Sequence, residues 1–442
     1  MQSNVKFVTA IVAIVAVVVG VVYGIYTFNM KQAAKAMTRM AGPLRPGAVM
    51  PPGHPPVSMG NEEYAADEPP KPDMGTMSPV HPPIGGGGPA ESQRRGKAMM
   101  DPNAKFTHFR VGFSNVKSIY IDGKTTWVGT SGGIVRYNTS TNEYRLFDNR
   151  DGLLSSGIFY INKLNGRMVV GTYGGGLSLY DKAHDKWENF NVPNGLADAF
   201  VYGVIKASNG DIWIATWSGA NRIRGGNLED RSKWDDYTVE NTKGGLPSDW
   251  VYAVAQGKNG EIWFATEGGV ARFKDGNWEH WDHKTGIGAD YDVVKNDPQF
   301  GSDPAKFSSH HAEQEKEMGL KGINVAYNPN YIISMVVDHN GVVWVGTWGA
   351  GLSRFDGKKW RTYTMADGLP GNHIFSLYED KTTGQLWIGT NNGLARFDGD
   401  KFKVLTTADG LFSNTIFSMA MAPDGSKWLG SFGGVTYLPA PK

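Results

Sequence analysis

LWIGTNNGLARFDGDKFKVLTTADGLFSNTIFSM, Leu386 to Met419, contains one full cycle of a repeating pattern. LWIGT is a short apolar run, Asn391-Asn392-Gly393 a turn, GLARFD a second run ending in an aromatic, Asp398-Gly399-Asp400 another turn, and KFKVLTT a third run. Ala408-Asp409-Gly410-Leu411 then leads into the next apolar run. Runs of this length, bounded by Gly and Asn that supply positive φ, are β-strands joined by tight turns. With HIFSLYED in front, a unit has four strands, a to d, and no stretch of it keeps a helical period.

The cassette recurs as TTWVGTSGGIVRY (Thr125–Tyr137), RMVVGTYGGGLSLY (Arg167–Tyr180), DIWIATWSGANRI (Asp211–Ile223), EIWFATEGGVARF (Glu261–Phe273), VVWVGTWGAGLSRF (Val342–Phe355), QLWIGTNNGLARF (Gln385–Phe397) and SKWLGSFGGVTYL (Ser426–Leu438). Anchors at Trp127, Val169, Trp213, Trp263, Trp344, Trp387 and Trp428 are about 41 to 50 residues apart, with one doubled gap after Trp263, and that period belongs to four-stranded propeller blades. The expected fold is all-β, a seven-bladed β-propeller of four-stranded blades over residues 104–442, with an insertion at 284–330 filling the doubled gap. The last unit stops at strand c, while FTHFRV (Phe106–Val111) matches the strand d pattern and precedes the first unit. The N-terminal strand is therefore expected to complete the last blade, which removes exposed sheet edges. Strand a carries a small residue at one register (Ser118, Gly203, Ala253, Ser334, Ser376, Ser418), with Tyr160 the exception, and this is expected where innermost strands converge on the axis.

These units resemble the two-component regulator propeller repeat, whose hallmark is a DGL-x-x-N turn before strand a, then W-I-G-T and GL-x-R-F strands. The turn reads Asp367-Gly368-Leu369 with Asn372 and Asp409-Gly410-Leu411 with Asn414, and in part Asp151-Gly152-Leu153, Asn194-Gly195-Leu196 and Gly244-Gly245-Leu246. The pattern departs where Val169 replaces Trp and in the fourth unit, where the insertion is expected to replace the turn. The resemblance implies an extracytoplasmic sensory propeller, such as those of hybrid histidine kinases. No kinase, receiver or DNA-binding segment is left over in this sequence.

Composition agrees with one large domain: 14 Trp, 18 Tyr and 20 Phe can fill the space between blades. A net charge of +1 gives no general affinity for nucleic acid. The absence of Cys excludes disulfides, thiolate catalysis, Cys-ligated metal and covalent haem.

Residues 1–103 read differently. After a short tail (1–7), Val8–Phe28 is an uncharged apolar run long enough to span a bilayer, and it lacks the short core and cleavage site of a signal peptide. A retained anchor in a bacterial inner membrane is expected. Lys31, Lys35, Arg39 and Arg45 after it argue for a cytoplasmic propeller, whereas the family habit, the missing Cys and the linker argue for the periplasm, which is the expectation adopted. Ala16, Gly20 and Gly24 at spacing four could serve a homodimer or a partner helix, although small residues are common in such spans. Residues 29–103 include a Pro/Gly-rich linker expected to stay extended and mobile, with the propeller tethered rather than docked. Met50, His54, Met59, Met74, Met77 and His81 are soft-ligand types, but no fixed spacing holds them, and no metal or cofactor is expected there.

The b–c and d–a loops of a propeller share one face, here called the upper face. They carry Tyr173, Trp217, Glu267, Trp348, Asn391 and Phe432, with Trp250 and His373 beside the d–a turns. Aromatics with scattered polar groups suit a surface that binds a protein or a small ligand. The plainer reading of any one of them is packing against a neighbouring loop. In the insertion, SSHHAEQEKEMGLKG reads as a short helix bearing His310 and His311, without a third ligand at a fixed spacing. Two functions follow: a membrane-tethered extracytoplasmic ligand- or protein-binding module, or an enzyme resembling the streptogramin-lyase type of propeller, in which Glu267, His373 and the insertion's histidines would serve a metal. The binding module is the reading preferred, with no catalytic residue assigned.

Overall fold

The computed structural model describes residues 94–98, 104–298 and 326–440. Five separate four-stranded antiparallel sheets form blades, each running from an innermost strand (Ile158–Leu164, Val201–Lys206, Val251–Gln256, Asn328–Val337 or Ile374–Asp380) outward in chain order. The first and last units do not form blades of their own. They are joined in one eight-stranded sheet, because the 16-residue strand Thr107–Asp122 runs unbroken through both. Its first part pairs with Phe432–Leu438 (Thr107 opposite Tyr437, Phe109 opposite Val435) and its second part with Thr125–Thr130. The expectation of seven four-stranded blades is thus corrected to five, plus this shared sheet.

The repeated residues have local reasons. Where strand b ends in Thr, its hydroxyl donates to a glycine carbonyl across the b–c turn: Thr130 to Gly133 at 2.9 Å, Thr216 to Gly219 at 2.8 Å, Thr390 to Gly393 at 2.9 Å. Gly393 sits at φ 138°, where a side chain would be strained. The Trp of strand b lies opposite the Arg of strand c, and the guanidinium covers the indole: Arg136 over Trp127 at 5.7 Å, Arg222 over Trp213 at 5.4 Å, Arg272 over Trp263 at 5.5 Å. In the d–a turn of four units a short 3-10 turn ends at a left-handed glycine, and the next residue, Leu153, Leu196, Leu369 or Leu411, is buried in the core; Leu246 is buried as well, after a turn without that 3-10 segment. The turn is kept in the fourth unit too, as Thr285-Gly286-Ile287, with Gly286 at φ 111° and Ile287 fully buried. The insertion follows this turn rather than replacing it.

The small residues of strand a do not face the axis. Where the small residue is Ser, its hydroxyl bridges to the next innermost strand: Ser334 donates to the Ile374 carbonyl (2.8 Å), Ser376 to Ile416 (3.4 Å) and Ser418 to Val116 (2.8 Å), the last joining the end of the chain to its beginning. Ser118 accepts from the Ile161 amide at 2.9 Å. Tyr160 performs the same bridge with a longer arm, its hydroxyl donating to Val204 at 2.7 Å. Tyr160 and Val169 lie on the same sheet face, since Tyr160 pairs with Gly171 and Asn162 with Val169. The two departures from the repeat therefore compensate: a large residue enters strand a where a small one replaces the Trp of strand b.

Residues 94–98 are docked, contrary to the expectation for the linker. Arg95–Lys97 pairs with Glu143–Phe147 as a further outer strand, and the buried Arg94 guanidinium reaches Asp148 (3.3 Å) and Asp151. The expected span at 8–28, its Ala16, Gly20 and Gly24 stripe, the Met/His segment, and His310 and His311 lie outside the described residues. No helix among the described residues is long and apolar enough to cross a membrane.

Candidate functional site: an aromatic cup at the propeller axis

All the innermost strands but that of the last unit carry a register shift near the upper end. Val116 pairs with Thr130 and Ser118 with Gly129, so Lys117 is set out of the ladder. The same shift sets out Phe159, Tyr202, Tyr252 and Phe375. Phe417 takes the matching place before Ser418, its amide donating to Gly430. A bulge re-aims its extra residue. Here it sends the side chains toward one another: Phe159–Tyr202 centroids are 4.7 Å apart, Tyr202–Tyr252 5.1 Å, Phe375–Phe417 5.2 Å, and the Lys117 ammonium stands 4.4 Å over Phe417. Tyr331, 4.8 Å from Tyr252, and Trp348, 5.5 Å from Tyr331 and 6.0 Å from Phe375, complete the line.

A second tier comes from the loops. Tyr173 packs against Phe159 (5.6 Å) and Phe200 (4.6 Å), Phe200 meets Trp217 (5.5 Å), and Trp217 meets Trp250 (4.4 Å). Each loop is tied down by its backbone, as in Trp217 N–H to Phe200 O at 3.2 Å and Glu267 N–H to Trp250 O at 3.1 Å. Trp217, Trp250 and Trp348 stay half-buried, so part of each ring faces solvent.

Of the residues singled out from sequence, Tyr173, Trp217, Trp250, Glu267 and Trp348 lie together in this cup. Glu267 is fully buried, with its Oε2 3.5 Å from the Tyr252 hydroxyl. Burial pushes its carboxyl well above the ordinary carboxylate range, which favours the neutral acid. The hydroxyls of Tyr202 and Tyr252 are likewise raised by burial. His373 is fully buried against Trp348 (5.1 Å), and its Nε2 is 2.8 Å from the Ala326 carbonyl. Asn391 accepts from the His373 amide (3.3 Å) and donates to the Pro298 carbonyl (3.3 Å), so both serve the stems of the insertion. Phe432 is exposed and opens the strand that pairs with Thr107–Asp122, away from the ring contacts above. No group of three or more His, Asp or Glu able to hold a metal occurs among the described residues.

Burial holds the His373 imidazole near pKa 3 against an ordinary 6.5. The folded state thus binds fewer protons between these values, so this contribution to stability is complete above pH 6.5 and is lost as pH falls toward 3. Lowering pH from 7 to 5 is expected to destabilise the wild type by about 2 kcal/mol more than His373→Gln, whose amide can still donate to Ala326. Urea midpoints at the two pH values measure it. Parallel losses in both proteins would show that His373 titrates normally.

The bulge residues were missed from sequence. Their signal is present, since each stands immediately before the small residue of strand a, or before Tyr160 where that residue is large. Simple alternation hides it, because a residue outside the ladder breaks the two-residue period.

Three segments, residues 245–268, 326–349 and 368–392, match the two component regulator propeller model, so the chain carries repeats of that type. Its fold is similar to an extracellular domain of a hybrid two component system from B. thetaiotaomicron (TM-score 0.58, 22% identity, covering 76% of this chain and 41% of that one). A second such extracellular domain from the same organism gives 0.53 and 18%, covering 76% and 39%. The chain therefore spans about two fifths of the length of each. A streptogramin B lyase gives 0.53 at 12% identity, covering 76% and 97%. At these identities the likeness is one of fold. No curated protein matches the chain.

Proposed function

We propose that this chain, which carries two component regulator propeller repeats, is an extracytoplasmic ligand-binding module that receives its ligand in the axial cup. The observation that carries the reading is the continuous run of aromatic rings around the axis, from Phe159 through Tyr202, Tyr252, Tyr331, Trp348 and Phe375 to Phe417, at a mouth where three Trp keep part of their surface exposed. Such surfaces release ordered water and stack flat or apolar groups on binding. The shared fold of extracellular sensory domains supports a sensory use and a periplasmic location. Metal-dependent lyase chemistry is not favoured, because burial disfavours the charged form of the Glu267 carboxyl and His373 Nε2 lies against the Ala326 carbonyl.

Trp217→Ala should weaken ligand binding by roughly 1 to 3 kcal/mol, the range of aromatic hot spots, with little loss of stability. Ligands come from a thermal-shift screen of small organic compounds, and calorimetric titration of wild type and variant compares affinities. A large drop in melting temperature with unchanged affinity would make Trp217 a packing residue and remove the cup from the function.

A further inference from the structure

Lys117 is the one cation among the residues that the bulges turn toward the axis. Its ammonium stands 4.4 Å over Phe417, which packs on Phe375, and the other bulge residues Phe159, Tyr202 and Tyr252 pack on one another. Among the described residues no carboxylate lies within ion-pair distance of its ammonium, in contrast to Lys163, which pairs with Asp122 at 2.8 Å, and Lys295, which pairs with Asp292 at 2.9 Å. Of the acids described at the cup, Glu267 is fully buried, and burial disfavours its charged form, while the Asp198 carboxylate accepts from the Phe200 amide and the Ser218 hydroxyl. A half-buried ammonium in an aromatic enclosure is unusual. Aromatic faces offset only part of its lost hydration, and an anion would offset more.

We propose that Lys117 is the anchor for the charged end of the ligand, and that the axial cup takes a small organic anion with a flat ring-shaped body, an aryl or indolyl carboxylate. The carboxylate meets the Lys117 ammonium, and the ring stacks among Phe417, Phe375, Tyr252 and Tyr202. Both halves of the cup are needed: a charge without a ring makes no use of the aromatic faces, and a ring without a charge leaves the ammonium as it was. Burial lowers the Lys117 amine to about 8, so it remains mostly protonated at neutral pH. This rests on the cup being the binding site.

The test uses the full chain with three probes: indole-3-acetate, its uncharged counterpart indole-3-acetamide, and acetate, which has the charge without the ring. Calorimetric titration should show indole-3-acetate binding about tenfold or more tighter than the amide, with acetate weaker than both, as a charge-assisted contact to carboxylate predicts. Lys117→Met keeps the stem and removes the charge. It should erase the difference between the two indole probes while leaving the melting temperature unchanged, and Lys117→Arg should restore it. Tyr252→Ala should weaken both indole probes alike. Equal affinity of the two indole probes for the wild type overturns the role of Lys117 yet leaves the cup as a binding site. A preference that survives in Lys117→Met also overturns it. Failure of every probe to bind overturns the ligand class, and the Trp217→Ala comparison then decides separately whether the cup binds anything.

Discussion

Removing residues 1–111 prevents the propeller from folding, whereas removing residues 1–93 leaves a cooperative domain. The deleted piece includes the stretch Thr107–Arg110 that pairs with Gly434–Tyr437. Phe109 within it stacks on Trp428 (5.4 Å, 16°) and meets Tyr137 at 5.2 Å, so one ring joins the first unit to the last. His108 Nε2 reaches the Gly410 carbonyl at 2.9 Å. Phe109 is half-buried, so its loss alone costs less than the roughly 3 to 5 kcal/mol of a fully buried Phe, but the strand pairing is lost with it, against a total stability of roughly 5 to 15 kcal/mol. Deleting its strand also exposes the long edge of Phe432–Leu438, which invites association with other chains. Thermal melts and limited proteolysis of the two shortened chains measure the effect. Indistinguishable melting temperatures would mean that the ring closes without this strand.

Trp213→Ala should cost about 3 to 5 kcal/mol, the range for truncating a large buried aromatic. Trp213 is 2% exposed and lies between two blades, stacked on Tyr237 of its own (5.5 Å, 23°) and meeting Phe264 (5.6 Å) and Phe273 (5.5 Å) of the next. Rings held from both sides leave little freedom to collapse into the cavity. Guanidinium unfolding at several concentrations gives the difference. A cost below about 1 kcal/mol would show that the blades repack around the missing indole.

The sequence by itself determined the parts that depend on residues close together in the chain. Strand boundaries follow from Gly, Asn and Asp at the turns, and the Gly-Thr and Asp-Gly-Leu motifs encode hairpins and turns completed within a few residues, such as Thr390 to Gly393. Even the N-terminal strand of the last sheet was legible, because Phe106–Val111 carries the pattern of an outer strand and the seventh unit lacks one. Tertiary structure decided what depends on partners far apart. The continuity of Thr107–Asp122 makes the first and last units one sheet, which a count of repeats cannot show. The exchange of bulk between Tyr160 and Val169 requires knowing that they share a face, and the burial of Glu267 and His373 requires the neighbouring blade and the insertion stems. The bulges decided the site: one residue out of register in each of five innermost strands turns Lys117, Phe159, Tyr202, Tyr252 and Phe375 to the axis, where only the closed ring brings them together.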